Sequence, residues 1–135
     1  MLYLEDATLC TNCVSPAITY GGTTGSAFTD VTLKYPNLGF SGVLSDNDLI
    51  VSFDSSAGGS VEATDFTVGL ISTYSGSDYV DDTWDGDSVV EGWLGLAPNA
   101  ANASYNYLTR LDAEGLMDDK LFSLEFDLGD TSELA

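Results

Sequence analysis

Positive charge is nearly absent from this sequence: Lys34, Arg110 and Lys120 stand against 22 Asp and Glu, a formal net charge of 3 − 22 = −19. Phosphate backbones are bound through clustered Lys and Arg, so nucleic acid is excluded as a partner. An anionic membrane surface is excluded on the same ground. Histidine is missing altogether, and cysteine is limited to Cys10 and Cys13. A closed structural zinc site takes about four N or S ligands, more than this chain offers, so no metal centre or other cofactor is expected. Long apolar runs are missing too. The longest span only a few residues, against the roughly 18 to 20 that a membrane-crossing helix needs. Near the start, Glu5 and Asp6 stand where a secretory leader would carry a basic region and an apolar stretch, so no leader is expected within these residues.

What is present reads as globular. With 135 residues, 44% of them hydrophobic and 11% aromatic, the chain can build one core and is not intrinsically disordered. The acidity has two physical readings. In an acid compartment many carboxylates are protonated and self-repulsion falls; in high salt, screening does the same.

Cys10-Thr11-Asn12-Cys13 also has two readings. A thioredoxin-type redox pair wants a strand before it and a helix opening at the motif, and Val14-Ser15-Pro16 does not start an amphipathic helix. The alternative is a small loop disulfide in an oxidising compartment. Asn102-Ala103-Ser104, an N-glycosylation acceptor, agrees with a secretory route.

Most of the chain is short runs of β-branched and aromatic residues separated by Gly, Ser, Asn and Asp, the pattern of a mainly β domain with many short antiparallel strands. Strands are expected at Val31 to Tyr35, Gly42 to Leu44, Leu49 to Phe53, Phe66 to Ser72, Trp93 to Leu96 and Phe122 to Asp127. Alternation of apolar and polar residues in Val31 to Tyr35 and Leu121 to Phe126 marks strands with one buried face. One short helix is expected from Ser104 to Glu114. Tyr107, Leu108 and Leu111 form its stripe, Ser104 or Asn102 its cap and Gly115 its stop. Asp54 to Ser60 and Ser75 to Ser88 read as polar loops, and nothing divides 1–135 into two domains.

Taken in order, several short stretches resemble the N-terminal lobe of the pepsin-like aspartic endopeptidases. Leu2-Tyr3-Leu4 followed by Cys10 to Cys13 is similar to the family's Leu-Trp/Tyr-Val and small cysteine loop. Tyr20 and Ser26-Ala27-Phe28 resemble the stretch that comes next. Val31 to Leu44, continuing through Asp46 to Val51, resembles the flap hairpin, in which a strand ends at a Tyr and Ser/Thr-Gly-x-Leu opens the return strand. Phe66-Thr67-Val68-Gly69 resembles the next strand, and Glu91-Gly92-Trp93-Leu94-Gly95-Leu96-Ala97 the family's Asp-Gly-Ile-Leu-Gly-Leu. Leu108 to Leu116 and Phe122-Ser123-Leu124 are similar to the helix and strand that follow. The resemblance covers nearly the whole chain and implies part of a pepsin-like lobe, truncated at both ends.

Aspartic proteolysis uses two carboxylates that share one proton, each carried by the family on an Asp-Thr/Ser-Gly loop. Neither triplet is present. Phe53-Asp54-Ser55-Ser56 and Asp130-Thr131-Ser132 lack the glycine and read as solvated turns. No catalytic residue is therefore expected within these 135 residues. The resemblance implies substrate contact instead. Tyr35 would be the flap tyrosine, with Pro36 and Asn37 at the tip; Tyr3 would hold its hydroxyl; Val90 and Trp93 would line the pocket beside the scissile bond. Pro36 departs from the family's Gly, which removes a backbone donor and stiffens the tip. A core role for each aromatic stands beside the site role.

The implied function is the flap and pocket wall of an aspartic endopeptidase that acts on peptides or proteins in a secreted or vacuolar/lysosomal-type acidic compartment. The rest of the protein, or other chains, would complete it. Two alternatives come from other classes: an inactive pepsin-fold protein with a binding or assembly role, motivated by Pro36, and an acidic β domain that binds carbohydrate or calcium. For calcium, Asp81 to Asp87 begins like a binding loop, but its third position is Thr83 and its twelfth is Gly92 where a bidentate Glu belongs. Added calcium is accordingly expected to leave the melting temperature almost unchanged in a thermal scan; a large saturable rise would favour the calcium-binding alternative.

Overall fold

The structure is a computed structural model that describes residues 1–13, 16, 18–34, 37–46, 48–54, 58–76, 92–97, 106–119 and 121–123. Within them the β-rich runs form β1 (Leu2–Glu5), β2 (Thr24–Ala27), β3 (Val31–Leu33), β4 (Leu38–Ser45), β5 (Leu49–Asp54), β6 (Ser60–Phe66), β7 (Gly69–Ser75) and β8 (Gly92–Leu94). The helical stripe forms α1 (Tyr107–Ala113). The larger sheet runs β2-β4-β7-β1-β8, with β3 also on β4, and β5 and β6 make a separate ribbon. The chain is mainly β, as its composition implies.

The expectation of antiparallel strands needs one correction. β1 and β7 run parallel, with Tyr3 opposite Gly69 and Glu5 opposite Ile71. Parallel neighbours require a long crossover, and here that crossover carries β2 to β6. β1 and β2 escape a reading by alternation because four residues are too few to show a period, and β2 is exposed throughout.

Boundaries shift where a corner interrupts a run. β3 ends at Leu33, and its partner β4 begins at Leu38 rather than Gly42, giving the expected hairpin with Val31 opposite Phe40 and Leu33 opposite Leu38. The single strand expected from Phe66 to Ser72 is two strands meeting at a corner. Asp65 has φ 49°, and Val68 is drawn to the end of β4 by Val68 N donating to Ser45 Oγ (2.9 Å) and Ser45 N donating to Val68 O (2.8 Å). Asp54 is not in a turn but closes β5 opposite Ser60; Gly58 and Gly59, just before β6, have φ of 93° and 85°, which suit glycine. β8 stops at Leu94, and Phe122 and Ser123 lie in no strand; the rest of that expected strand, Leu124 to Asp127, is outside the described residues.

The helix starts later than expected. Asn106 is its cap, with Oδ1 accepting from Thr109 N (3.0 Å) while Nδ2 donates to Ala97 O (3.1 Å). Both ends of one amide are thereby satisfied, which neither Ser104 nor Asn102, outside the described residues, is needed to do. Gly115 stops the helix as anticipated, at φ 73°. Helix α1 is fastened to β6 by Glu114, which accepts from Thr64 N (2.8 Å), Thr64 Oγ1 (2.7 Å) and Arg110 Nε (2.7 Å). Chiefly through the Thr64 hydroxyl, these bonds hold the Glu114 carboxyl below its usual pKa.

The larger sheet has an apolar layer on each face. One layer joins Val68 and Leu70 to Ala63 and Phe66 of β6 and to Tyr107, Leu108 and Leu111 of α1. The other holds Phe28, Leu38, Phe40, Ile71 and Tyr74. Alternation alone would put Ile71 and Tyr74 on opposite faces. The β4–β7 register resolves this: Tyr74 lies opposite Phe40 and Ile71 opposite Gly42, so β7 spends three residues where β4 spends two. Ser72 is the extra residue of a bulge, and Tyr74 returns to the Ile71 face. Gly42 is required there, since a Cβ would overlap the Leu70 carbonyl oxygen.

At the end of β1, Asp6 is fully buried and organises the following turn. Its Oδ1 accepts from Thr8 Oγ1 (2.6 Å), Thr8 N (2.8 Å) and Leu9 N (2.9 Å), and its Oδ2 from Tyr20 N (2.6 Å). Burial opposes ionisation, but the bonds from Thr8, Tyr20 and Leu9 outweigh it and hold the carboxyl below the usual Asp range. A depressed folded-state pKa adds stability that is fully present above the unfolded value, about 3.9, and is lost as pH falls through the folded one. Asp6→Asn should cost about 2 kcal/mol near neutral pH. Urea titrations from about pH 6 down to pH 2 should show a shallower loss of stability in the variant than in the parent; parallel curves would refute the assignment.

Candidate functional site

Strand β1 sits between β7 and β8, and that position gathers the aromatic residues. Tyr3 lies opposite Gly69 on one side and opposite Trp93 on the other. Gly69 leaves the space that the Tyr3 ring fills, because a Cβ there would stand 2.5 Å from Tyr3 Cδ1. From the hairpin, β4 brings Phe40 to the same face, and Phe28 and Tyr74 complete the group.

Phe40 is its centre. Its ring lies 5.0 Å from Tyr3 and 5.8 Å from Tyr74, both edge-on, and stacks on Trp93 at 6.1 Å and 17°. Phe28 meets Tyr3 edge-on at 5.1 Å. Each such pair adds about 0.5 to 1.5 kcal/mol beyond simple burial. Trp93 Nε1 donates to the Tyr74 hydroxyl at 3.2 Å. Phe28, Phe40 and Tyr74 are buried, whereas Tyr3 and Trp93 are half-buried and form the accessible rim.

Of the residues that the sequence singles out, Tyr3 and Trp93 meet on this face. Asn37 is exposed in the hairpin connection, immediately before β4. Its carbonyl lies against Gly76 at the end of β7, where a Cβ would collide with it. Tyr35, Pro36, Val90 and Asn102 lie outside the described residues. Cys10 and Cys13 form a disulfide with Cα atoms 5.6 Å apart, and Cys13 packs against the aromatic layer. β1 precedes the pair, and the bond is the small loop disulfide that one of the two readings of this motif expects; the residues that follow it, 14, 15 and 17, lie outside the described residues.

Sequence reasoning missed Phe40 and Tyr74. Phe40 sits inside the hairpin stretch, and its place one residue before Ser41-Gly42 could have marked it. Tyr74 carries no such signal, because only the Ser72 bulge brings it to this face.

Burial pushes the Tyr3 phenol up, so it remains a protonated donor. Asp54 of the first Asp-Ser decoy is exposed on the β5–β6 ribbon, away from these rings. Among the described residues no group of three or more His, Cys, Asp or Glu is placed to hold a metal ion, and no helix is long and apolar enough to cross a membrane.

Compared with protein-family models, with curated proteins and with solved structures, the chain finds no match in any of the three.

Because Phe40 is 3% exposed and touches four rings of the group, Phe40→Ala should destabilise the fold by about 3 to 5 kcal/mol in urea unfolding. Phe40→Leu should recover a good part of that loss. Similar, small losses for both would mean that the rings do not pack around Phe40.

Proposed function

We propose that this chain is the flap-bearing part of the N-terminal lobe of a pepsin-like aspartic endopeptidase, with the two catalytic carboxylates supplied by chain outside these residues. The observation that carries the reading is the meeting of Tyr3 and Trp93 beside the β3–β4 hairpin. Each belongs to a separate stretch that resembles the family, and in space the three lie around one aromatic face.

A peptide backbone lies extended between the hairpin and that face. An apolar side chain of the substrate rests on the rim of Tyr3 and Trp93, and the hairpin tip closes over it and excludes water. The disulfide agrees with an oxidising, secreted or vacuolar compartment.

Pro36 favours a second reading, an inactive pepsin-fold protein that binds peptides without cutting them, because proline at the tip removes a backbone donor to substrate. The whole protein is expected to cleave an unfolded protein substrate at acid pH, and a statine-containing peptide inhibitor should abolish the cleavage. Inhibitor binding without cleavage would favour the second reading; neither binding nor cleavage would defeat both.

A further inference from the structure

The cysteine loop lies against the part of β7 that β1 leaves open. β1 pairs with β7 only from Gly69 to Ile71. Beyond that point Thr11 N donates to Ser72 O at 2.9 Å. Asn12 then engages both backbone groups of Tyr74, with Nδ2 donating to Tyr74 O at 2.9 Å and Tyr74 N donating to Oδ1 at 2.9 Å. An amide side chain that donates to and accepts from one residue reproduces a rung of a β ladder. It holds that geometry only if its own backbone is fixed, and the Cys10–Cys13 disulfide closes the loop around it.

We infer that Asn12, held by the Cys10–Cys13 disulfide, is a positioning residue of the aromatic face. It sets the backbone of Tyr74, and the Tyr74 hydroxyl in turn orients the Trp93 indole. Tyr74 is the hinge of this relay because Phe40 contacts both it and Trp93, so a rotation of the end of β7 moves the rim as well as the floor. Without Asn12, the Tyr74 amide and carbonyl lose partners that hold them in line with the bulge, and the strand end is free to turn toward water. The link from Asn12 to Trp93 stands on geometry alone; its consequence for peptide selection rests on the proposed function.

The test uses the whole protein with Trp84→Phe, so that Trp93 is the tryptophan of this chain that reports. In that background Asn12→Ala should shift Trp93 emission to longer wavelength and raise its quenching by acrylamide. Asn12→Asp keeps the acceptor for Tyr74 N but loses the donor to Tyr74 O, and should fall between. Thr11→Ala removes only a 3.3 Å side-chain bond to Ser72 O and should leave Trp93 unchanged. A lowered melting temperature with Trp93 emission and quenching unaltered, in Asn12→Ala or, should that variant not fold, in Asn12→Asp, would overturn the inference.

For peptides with a large apolar residue beside the scissile bond, Asn12→Ala should raise KM about tenfold while kcat stays within about twofold. A Trp93 response without a change in KM would leave the relay standing and remove its link to peptide selection.

Discussion

One extra residue in β7 decides what this sheet can display. Ser72 has no counterpart in β4, and through that bulge Tyr74 joins Ile71 on the face where Phe40, Tyr3 and Trp93 lie. A regular strand would send Tyr74 to the opposite layer, beside Leu70 and the helix, and would leave Phe40 without one edge-on neighbour. Trp93 would lose its hydroxyl acceptor as well. The same irregularity leaves Ser72 O to Thr11, so the disulfide loop and the aromatic face are tied to one point of the sheet.

The remaining constraints serve to hold β1 and the hairpin in place around that point. Gly42 and Gly69 lie where the two sheet neighbours of β7, β4 and β1, approach too closely for a side chain. Asp6 turns the chain as it leaves β1 and binds it back at Tyr20, and the Tyr20 hydroxyl donates to Asp46 just past β4. The chain just past β1 and the chain just past β4 are thus linked through Tyr20 by part-buried polar contacts to two carboxylates. On the other layer, Arg110 braces Glu114 at the end of α1 (2.7 Å) and reaches Asp65 of β6 (3.2 Å), placing one of three cations where the chain takes a left-handed turn. The ribbon of β5 and β6 leans on the helix, with Phe53 against Tyr107 at 5.0 Å.

Much of the fold was legible because local composition and local structure agree. The strands β3 and β5, the short helix with its Gly115 stop and the mainly β character follow from residue type and alternation, and the pairing of β3 with β4 as a hairpin from the resemblance of that stretch to a flap. What could not be read depends on partners far along the chain. The parallel pairing of β1 with β7, the corner at Thr67 and Val68 and the Ser72 bulge are set by contacts made across the sheet, and no window of neighbouring residues contains them. The site divides in the same way. Tyr3 and Trp93 were found through the stretches that contain them, but Phe40 and Tyr74, which hold them in place, emerge only from the register. Asn106 took the capping role over Ser104 and Asn102 because its amide also reaches Ala97, another contact outside the local window.

The central claim is that the face around Phe40 binds an extended apolar peptide. The most direct measurement is a titration of the isotopically labelled whole protein with a short, non-hydrolysable apolar peptide, followed by NMR at the Trp93 indole N–H and the Phe40 and Tyr3 rings. The account predicts saturable shifts at these three residues, with one common binding constant, and little change at Phe53 or Val61 on the ribbon. Shifts confined to the ribbon, or none at saturating peptide, would contradict it.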